Sequence, residues 1–220
     1  MKLYKVILIA LFLCSIIALS GYFWHYHHIH QYDPMITRIA SRYGLDPLLV
    51  KSLIYEESYF KKDARSNAGA VGLMQVTPIT VKEWTRQTNQ DDLNKAFPNA
   101  SENRDIKTNS TNIEKLLTYP EINLQLGCWY LDNLMKRYSN LEDALPMVLA
   151  SYNAGPSHAQ RWQQLTYQKE KNRKNNYRDL YLEQIDFPET KRYVNSVLVR
   201  YNKQKQTFED SNTISWIFKQ

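Results

Sequence analysis

Two adjacent carboxyl groups, Glu56 and Glu57, close the apolar stretch Leu48-Leu49-Val50-Lys51-Ser52-Leu53-Ile54. On a helical wheel with Leu49 at zero and roughly 100° per residue, Leu53 falls at about 40°, Val50 at about 100° and Ile54 at about 140°. Glu57 falls at about 80°, in the middle of that apolar arc, and Glu56 at about −20°, at its edge. Glu57 therefore points to the core side, where desolvation penalises the charged form and raises the pKa. A carboxyl group still protonated near neutral pH is what a general acid needs. A helix-end Glu paired with an Arg, or capping a backbone amide, fits the same wheel, which by itself leaves both roles open.

Other reactive side chains offer less. His25, His27, His28 and His30 cluster near the N-terminus, and imidazole is a common metal ligand. No carboxylate or thiol stands among them to complete a ligand set, so the plainer reading is a polar linker. Cys14 and Cys128 are the two cysteines. They can supply neither a disulfide framework nor a four-thiolate zinc site. The bulky Leu13 before Cys14 argues against lipid attachment there.

The surroundings of Glu57 sharpen its reading. Glu57-Ser58 is followed by Ala64, Ser66 and Gly69-Ala70-Val71-Gly72-Leu73-Met74-Gln75-Val76-Thr77-Pro78. Further on come Asn123-Leu124-Gln125-Leu126-Gly127 with Tyr130-Leu131, then Ala150-Ser151-Tyr152-Asn153-Ala154-Gly155-Pro156, then Pro188-Glu189-Thr190-Lys191-Arg192-Tyr193-Val194. In this order the set closely resembles the soluble-lytic-transglycosylase (SLT) domain family, enzymes of bacterial peptidoglycan with a goose-type-lysozyme-like helical fold. The resemblance runs from about Pro34 to Lys203.

It implies that Glu57 is the catalytic acid and base. It implies that Ser66 and Gln75 line the cleft beside the scissile bond, with Gly72, Leu73 and Met74 shaping the turn that presents Gln75. Tyr152 and Asn153 match the Tyr-Asn pair facing the catalytic Glu, and Glu189 and Tyr193 match the last motif, on the opposite wall. For Tyr193 a core position, and for Glu189 a favourable helix N-terminus, are the plainer alternatives. The implied substrate is the glycan strand of peptidoglycan, cut between N-acetylmuramic acid and N-acetylglucosamine to a 1,6-anhydromuramyl product, with no metal or cofactor. Lys62 departs from the family pattern, standing where a Pro is common. Two other classes share the fold: a hydrolytic lysozyme, told apart by the reducing ends it leaves, and a non-catalytic peptidoglycan-binding scaffold. An acid retained on an apolar face argues against the scaffold.

The elements that must position these residues read as helices. Asp33-Pro34 and Asp46-Pro47 are helix starts, an Asp cap followed by Pro. Ile36, Ile39, Ala40 and Tyr43 repeat at helical spacing before Gly44 stops the first of these helices. Leu124, Cys128, Leu131 and Met135 form a stripe in 123–138. Residues 141–152 form another apolar helical segment, in which Pro146 marks either a kink or a later start. Pro188 opens a last helix with Tyr193, Val194, Val197, Leu198 and Tyr201 on one face. No stretch shows strand alternation, so the expected class is mainly α. The polar, Asn-rich segment 85–118 reads as a long loop or surface excursion, and the basic segment 163–179 as a solvated loop or a contact strip for an anionic polymer. The expected organisation is an N-terminal anchor and linker over 1–31, a catalytic domain over 32–205 with an insertion at about 85–118, and a tail over 206–220.

Composition sets the outer limits. The chain has 220 residues, 43% of them hydrophobic and 23% charged, which is globular and not disordered. Net charge is +6, suited to an anionic polymer or a membrane surface and too weak to argue nucleic acid. The 16 Tyr, 5 Trp and 7 Phe suit either a sugar-lined groove or a core. Lys2 and Lys5 precede an almost unbroken apolar run, Val6–Trp24, long enough to cross roughly 30 Å of hydrocarbon. Tyr22, Phe23, Trp24 and Tyr26 at its exit resemble an interfacial aromatic belt. The expectation is an inner-membrane anchor with the remainder in the periplasm. The alternative is a signal peptide cut after Ser20. Either exports the domain. An envelope-spanning assembly is left open as a partner, since no motif selects one.

Overall fold

The computed structural model describes residues 2–88, 110–141, 143–170 and 177–217. In order the helices are α1 (Lys2–His30), α2 (Asp33–Arg42), α3 (Pro47–Ser58), α4 (Pro78–Gln87), α5 (Ser110–Leu117), α6 (Pro120–Arg137), α7 (Leu145–Ala154), α8 (Pro156–Glu170), α9 (Tyr177–Gln184) and α10 (Pro188–Ile217). Among the described residues there is no strand, and the mainly α expectation holds.

Proline marks where these helices begin. Pro34, Pro47, Pro78, Pro120, Pro146, Pro156 and Pro188 each stand at or next to the first helical residue, where the missing N–H costs nothing and φ is already set. Pro146 thus marks a later start. Asp46 caps α3 as expected, its carboxylate accepting from the Leu48 N–H at 2.8 Å. Asp33 does not cap α2. It lies in the first turn, and its carboxylate accepts from Lys51 Nζ at 2.7 Å. An ion pair across to α3 outcompetes the local cap. Gly44, with φ +66°, follows α2 and lets Leu45 N–H return to Ala40 C=O, the closure that a left-handed residue makes available.

The core forms around α3, whose Leu49, Val50, Leu53 and Ile54 are buried against α2 and α10. Leu124, Leu126, Leu131 and Leu134 of α6, Val148 and Leu149 of α7 and Val194, Val197 and Leu198 of α10 complete it. α7 packs on α6, α8 and α10, so α3 and α7, carrying the two central motifs, both lie against α10.

Three stretches differ from their expectation. The basic segment 163–179 is helical through residue 170 in α8 and again from 177 in α9. Thr166, buried on that helix with its hydroxyl on Trp162 C=O, and buried Trp162 anchor a surface that looked like loop by composition. Of the polar segment 85–118, residues 89–109 lie outside the described residues, and 110–117 form α5, pinned by Ile113 and Leu117. The histidine linker is helical: α1 continues through His30. Beyond residue 205, α10 continues to Ile217.

Candidate active site

Glu57 sits in the last turn of α3, half-buried. The wheel argument holds in three dimensions, because the face that carries Leu53 and Ile54 meets α10. From α10, Tyr193 donates its hydroxyl to Glu57 Oε1 at 2.6 Å. Burial is the largest influence on Glu57 and pushes its carboxyl up to about 7; the Tyr193 hydrogen bond pulls the other way, and the Glu56 carboxylate adds a smaller upward push. Tyr193 itself is held well above the ordinary tyrosine range, first by burial and then by Glu57, so it remains a donor. A carboxyl poised near 7 can give up a proton and take one back under the same conditions.

The loop from Ala64 to Thr77 is bonded to α3, α6 and α7, and its glycine at 72 has a steric reason. Gly72 has φ +84°, and a Cβ there would lie 2.3 Å from Asn123 Nδ2 and 2.5 Å from Leu117 O. A Cβ at Gly127 on α6 would meet Met74 Sδ at 2.4 Å. The close approach lets Asn123, fully buried, reach the loop backbone. Its Nδ2 donates to Val71 O at 2.7 Å and Leu117 O at 2.9 Å, and its Oδ1 accepts from Met74 N at 2.7 Å. From α3, Ser58 Oγ donates to Leu73 O at 2.8 Å. From α7, Tyr152 donates to Met74 O at 2.8 Å. Three helices thus hold Val71, Leu73 and Met74 of the loop, and the loop closes on itself through the paired Val71 and Val76 backbones, 3.0 Å each way. Gln75, at φ +48°, is the strained residue this arrangement carries.

The remaining expected site residues divide. Tyr152 is half-buried, packs at a tilt against Tyr130 with centroids 5.5 Å apart, and is pushed well above its usual range by burial and then by the nearby Glu57. Gln75 turns its amide to Gly72 O at 3.0 Å and Ala64 O at 3.2 Å, and exposed Ser66 accepts from Ala70 N at 3.0 Å. Both thus bond within the loop itself. Asn153 is exposed, and its Oδ1 accepts from Thr190 Oγ1 at 2.7 Å, tying α7 to α10. Glu189 is exposed in the first turn of α10. Among the described residues no hydrogen bond or ion pair joins it to the Glu57 cluster.

Sequence reasoning assigned no role to Ser58, Asn123, Tyr130 or Arg200. Asn123 did leave a signal: it shares a helical face with Gly127 and Leu131, and a polar residue in an apolar stripe needs buried partners. Arg200 left none. Its Nε and Nη2 both reach Glu56 Oε1 at 3.1 Å, and its guanidinium lies 3.2 Å from the Tyr55 ring centroid. Among the described residues no group of three or more His, Cys, Asp or Glu converges as a metal set.

Residues 34–175 match the transglycosylase SLT domain, a stretch that contains Glu57, Ser66, Gln75, Tyr152 and Asn153 and stops short of Glu189 and Tyr193. The chain belongs to the transglycosylase SLT domain family. It is 30% identical over 143 residues to the membrane-bound lytic murein transglycosylase F of Desulfosudis oleivorans, covering 64% of this chain and 25% of that protein. It is 46% identical over 50 residues to the membrane-bound lytic murein transglycosylase C of Actinobacillus pleuropneumoniae, covering 23% and 14%. Among solved structures it is similar to an inactive mutant of the lytic transglycosylase Slt of Pseudomonas aeruginosa, with a TM-score of 0.61 and 26% identity over 82% of this chain and 25% of that one. The chain therefore spans about a quarter of the length of the first of these relatives.

Proposed function

We propose that the chain is a peptidoglycan lytic transglycosylase. It cleaves the β-1,4 bond between N-acetylmuramic acid and N-acetylglucosamine without water and leaves a 1,6-anhydromuramyl end. The observation that carries this reading is one carboxyl group, Glu57, poised near neutral pH under a tyrosine donor, while its neighbour Glu56 is tied to Arg200. Glycosidases that hydrolyse use two carboxylates in separate roles. A single one suffices when the substrate supplies the nucleophile.

Protonated Glu57 gives its proton to the glycosidic oxygen, and the C1–O bond breaks toward the leaving N-acetylglucosamine. The positive charge at C1 of the muramyl residue is met by that sugar's own N-acetyl group and by the dipoles of Tyr152 and the loop it holds. Glu57, now a carboxylate, takes the proton of the same residue's C6 hydroxyl, whose oxygen closes on C1. Tyr193 stabilises the carboxylate between the two transfers. Gln75, Ser66, Asn153 and Glu189 serve the glycan as cleft groups, the amide of Gln75 exchanging its loop bonds for sugar.

The membrane-bound relatives and the apolar α1 support an envelope location. α1 is the helix among the described residues long and apolar enough to cross a membrane, and Leu8, Ile9, Leu11, Phe12 and Ile17 are exposed around it. Lys2 and Lys5 at its start support a cytoplasmic N-terminus and a catalytic domain on the periplasmic side. Mass spectrometry of products from purified sacculi tests the reaction. Anhydromuropeptides are expected, and muropeptides with free reducing ends in their place would refute it.

A further inference from the structure

The histidines after the apolar run have no part in the chemistry above, yet they are in contact with the catalytic domain. α3 ends in two consecutive aromatic residues with left-handed backbones, Tyr59 at φ 51° and Phe60 at φ 60°. Bulky residues rarely adopt this conformation, and it persists where surrounding contacts over-determine it. Here the contacts come from α1. His28 Nε2 donates to Tyr59 O at 2.7 Å, and the Tyr59 hydroxyl pairs with His25 Nδ1 at 2.9 Å. The His28 ring lies 5.1 Å from the Tyr59 ring and 6.4 Å from that of Phe60, and Tyr55 packs edge-on to Tyr59 at 5.0 Å.

The seat is broader than one turn. Ile29 of α1 packs against the hydrophobic core, as do Tyr32 and Met35 just beyond it. His30 Nδ1 meets Asp33 Oδ2 at 2.6 Å, and Lys51 of α3 reaches both, at 2.9 and 2.7 Å. Only Gln31 and Tyr32 separate α1 from α2, and Gln31 N–H still bonds to His27 O at 2.9 Å. No segment with the composition of a flexible tether lies between the apolar helix and the domain.

Height follows from register. His25 is the residue after Trp24, where the apolar run ends, so the Tyr59 hydroxyl lies level with the aromatic belt. Glu57 stands two residues before Tyr59, a span of at most about 7 Å. From this juxtaposition of His25, His28 and Ile29 with Tyr59 and Phe60 we infer that the catalytic domain is seated on the exit turn of its own membrane helix. It acts as one rigid body with that helix, and holds Glu57 at a fixed, short height over the lipid headgroups. The glycan it reaches is strand lying close against the membrane. This inference rests on the membrane-anchored transglycosylase reading.

The test uses the full chain in vesicles of phosphatidylethanolamine and phosphatidylglycerol. Spin labels go on Ser20→Cys in α1 and Ser139→Cys at the end of α6, in a Cys14→Ser background; Cys128 is buried and is left in place. Pulsed electron spin resonance then reads the distance distribution. A single narrow distribution is expected, widening at least twofold in His25→Ala/His28→Ala and further when a Gly-Ser segment of about 12 residues, free to span roughly 20 Å, is inserted after Gln31 of that double variant. Both variants should release the same products from sacculi in detergent as the parent does, which separates loss of seating from loss of fold. A vesicle-bound parent as broad as the insertion variant overturns the rigid seat and leaves the transglycosylase reading standing. A parent that washes off the vesicles in high salt overturns the anchor and this inference together.

Discussion

The two sides of the last turn of α3 carry the same functional group in different surroundings. On one side Glu57 faces Tyr193 and the half-buried Tyr152, with burial holding its carboxyl near 7. On the other, one residue away, Glu56 accepts two hydrogen bonds from Arg200, whose guanidinium lies flat on Tyr55. That carboxylate is held in a charge-assisted pair with a delocalised cation. Glu57, bonded by the neutral Tyr193 hydroxyl and pushed up to about 7 by burial, can exchange its proton near neutral pH. Neighbouring positions on one helix thus diverge in chemistry through what α10 brings to each.

Replacing Glu57 with Gln is the most direct way to break the comparison. It keeps size and removes the titrating proton. If the whole proton transfer rests there, release of anhydromuropeptides falls by at least the 10²–10⁴-fold typical of general acid–base catalysis. The same substitution should stabilise the fold at alkaline pH. Because the folded pKa lies above the usual carboxylate value, stability is full below pH 4.5 and is lost as pH rises through about 7. Gln carries no such loss, a gain on the order of 2–3 kcal/mol at pH 8. A dead variant with unchanged denaturant midpoints across this range would show that Glu57 is not buried at the cost described.

Next in size is the loop from Ala64 to Thr77. Asn123→Ala removes one side of three buried hydrogen bonds to Val71, Leu117 and Met74. At about 1–3 kcal/mol for each group left unsatisfied, destabilisation of about 3 kcal/mol or more is expected in chemical denaturation, with activity falling alongside. An unchanged midpoint would mean the loop holds itself.

Tyr193→Phe sharpens the Glu57 side. The hydroxyl favours the carboxylate, so its loss should move the alkaline limb of the activity profile to higher pH and slow turnover by about tenfold, the scale of one hydrogen bond to a charged group. A limb moving down would reverse the assigned role.

The smallest effects belong to the other side. Glu56→Gln takes a negative charge away from Glu57, so the alkaline limb moves to lower pH while peak activity stays within a few-fold. Arg200→Gln leaves that charge unneutralised and moves the limb up. The double variant should follow Glu56→Gln, because without the carboxylate the guanidinium has nothing to screen. Profiles for Glu56→Gln and Arg200→Gln that shift in the same direction would dissolve the contrast between the two carboxyl groups.

Much of this was legible locally. The apolar arc around Glu57 is a matter of helical period, and proline placement follows from its fixed φ and missing N–H. The order of the Glu-Ser, Gly-Leu-Met-Gln and Tyr-Asn motifs, matched by the SLT domain over 34–175, carried the family. Composition misled where a few buried anchors outweigh many polar neighbours, as with Trp162 and Thr166 in α8. Capping rules misled at Asp33, where a lysine from α3 offered the better partner.

Tertiary structure alone decided who faces whom. Tyr193 lies 136 positions from Glu57 and Arg200 144 from Glu56, while His28 lies 31 from Tyr59. Periodicity tells which way a side chain points from its own helix axis and carries no information on which helix stands opposite. That is settled when α10, α3 and α1 pack. The sequence by itself therefore determined that the Glu57 carboxyl would point to the core side of α3, and packing determined that a tyrosine would bond it, an arginine would pair with its neighbour, and the end of an apolar helix would meet the chain two residues away.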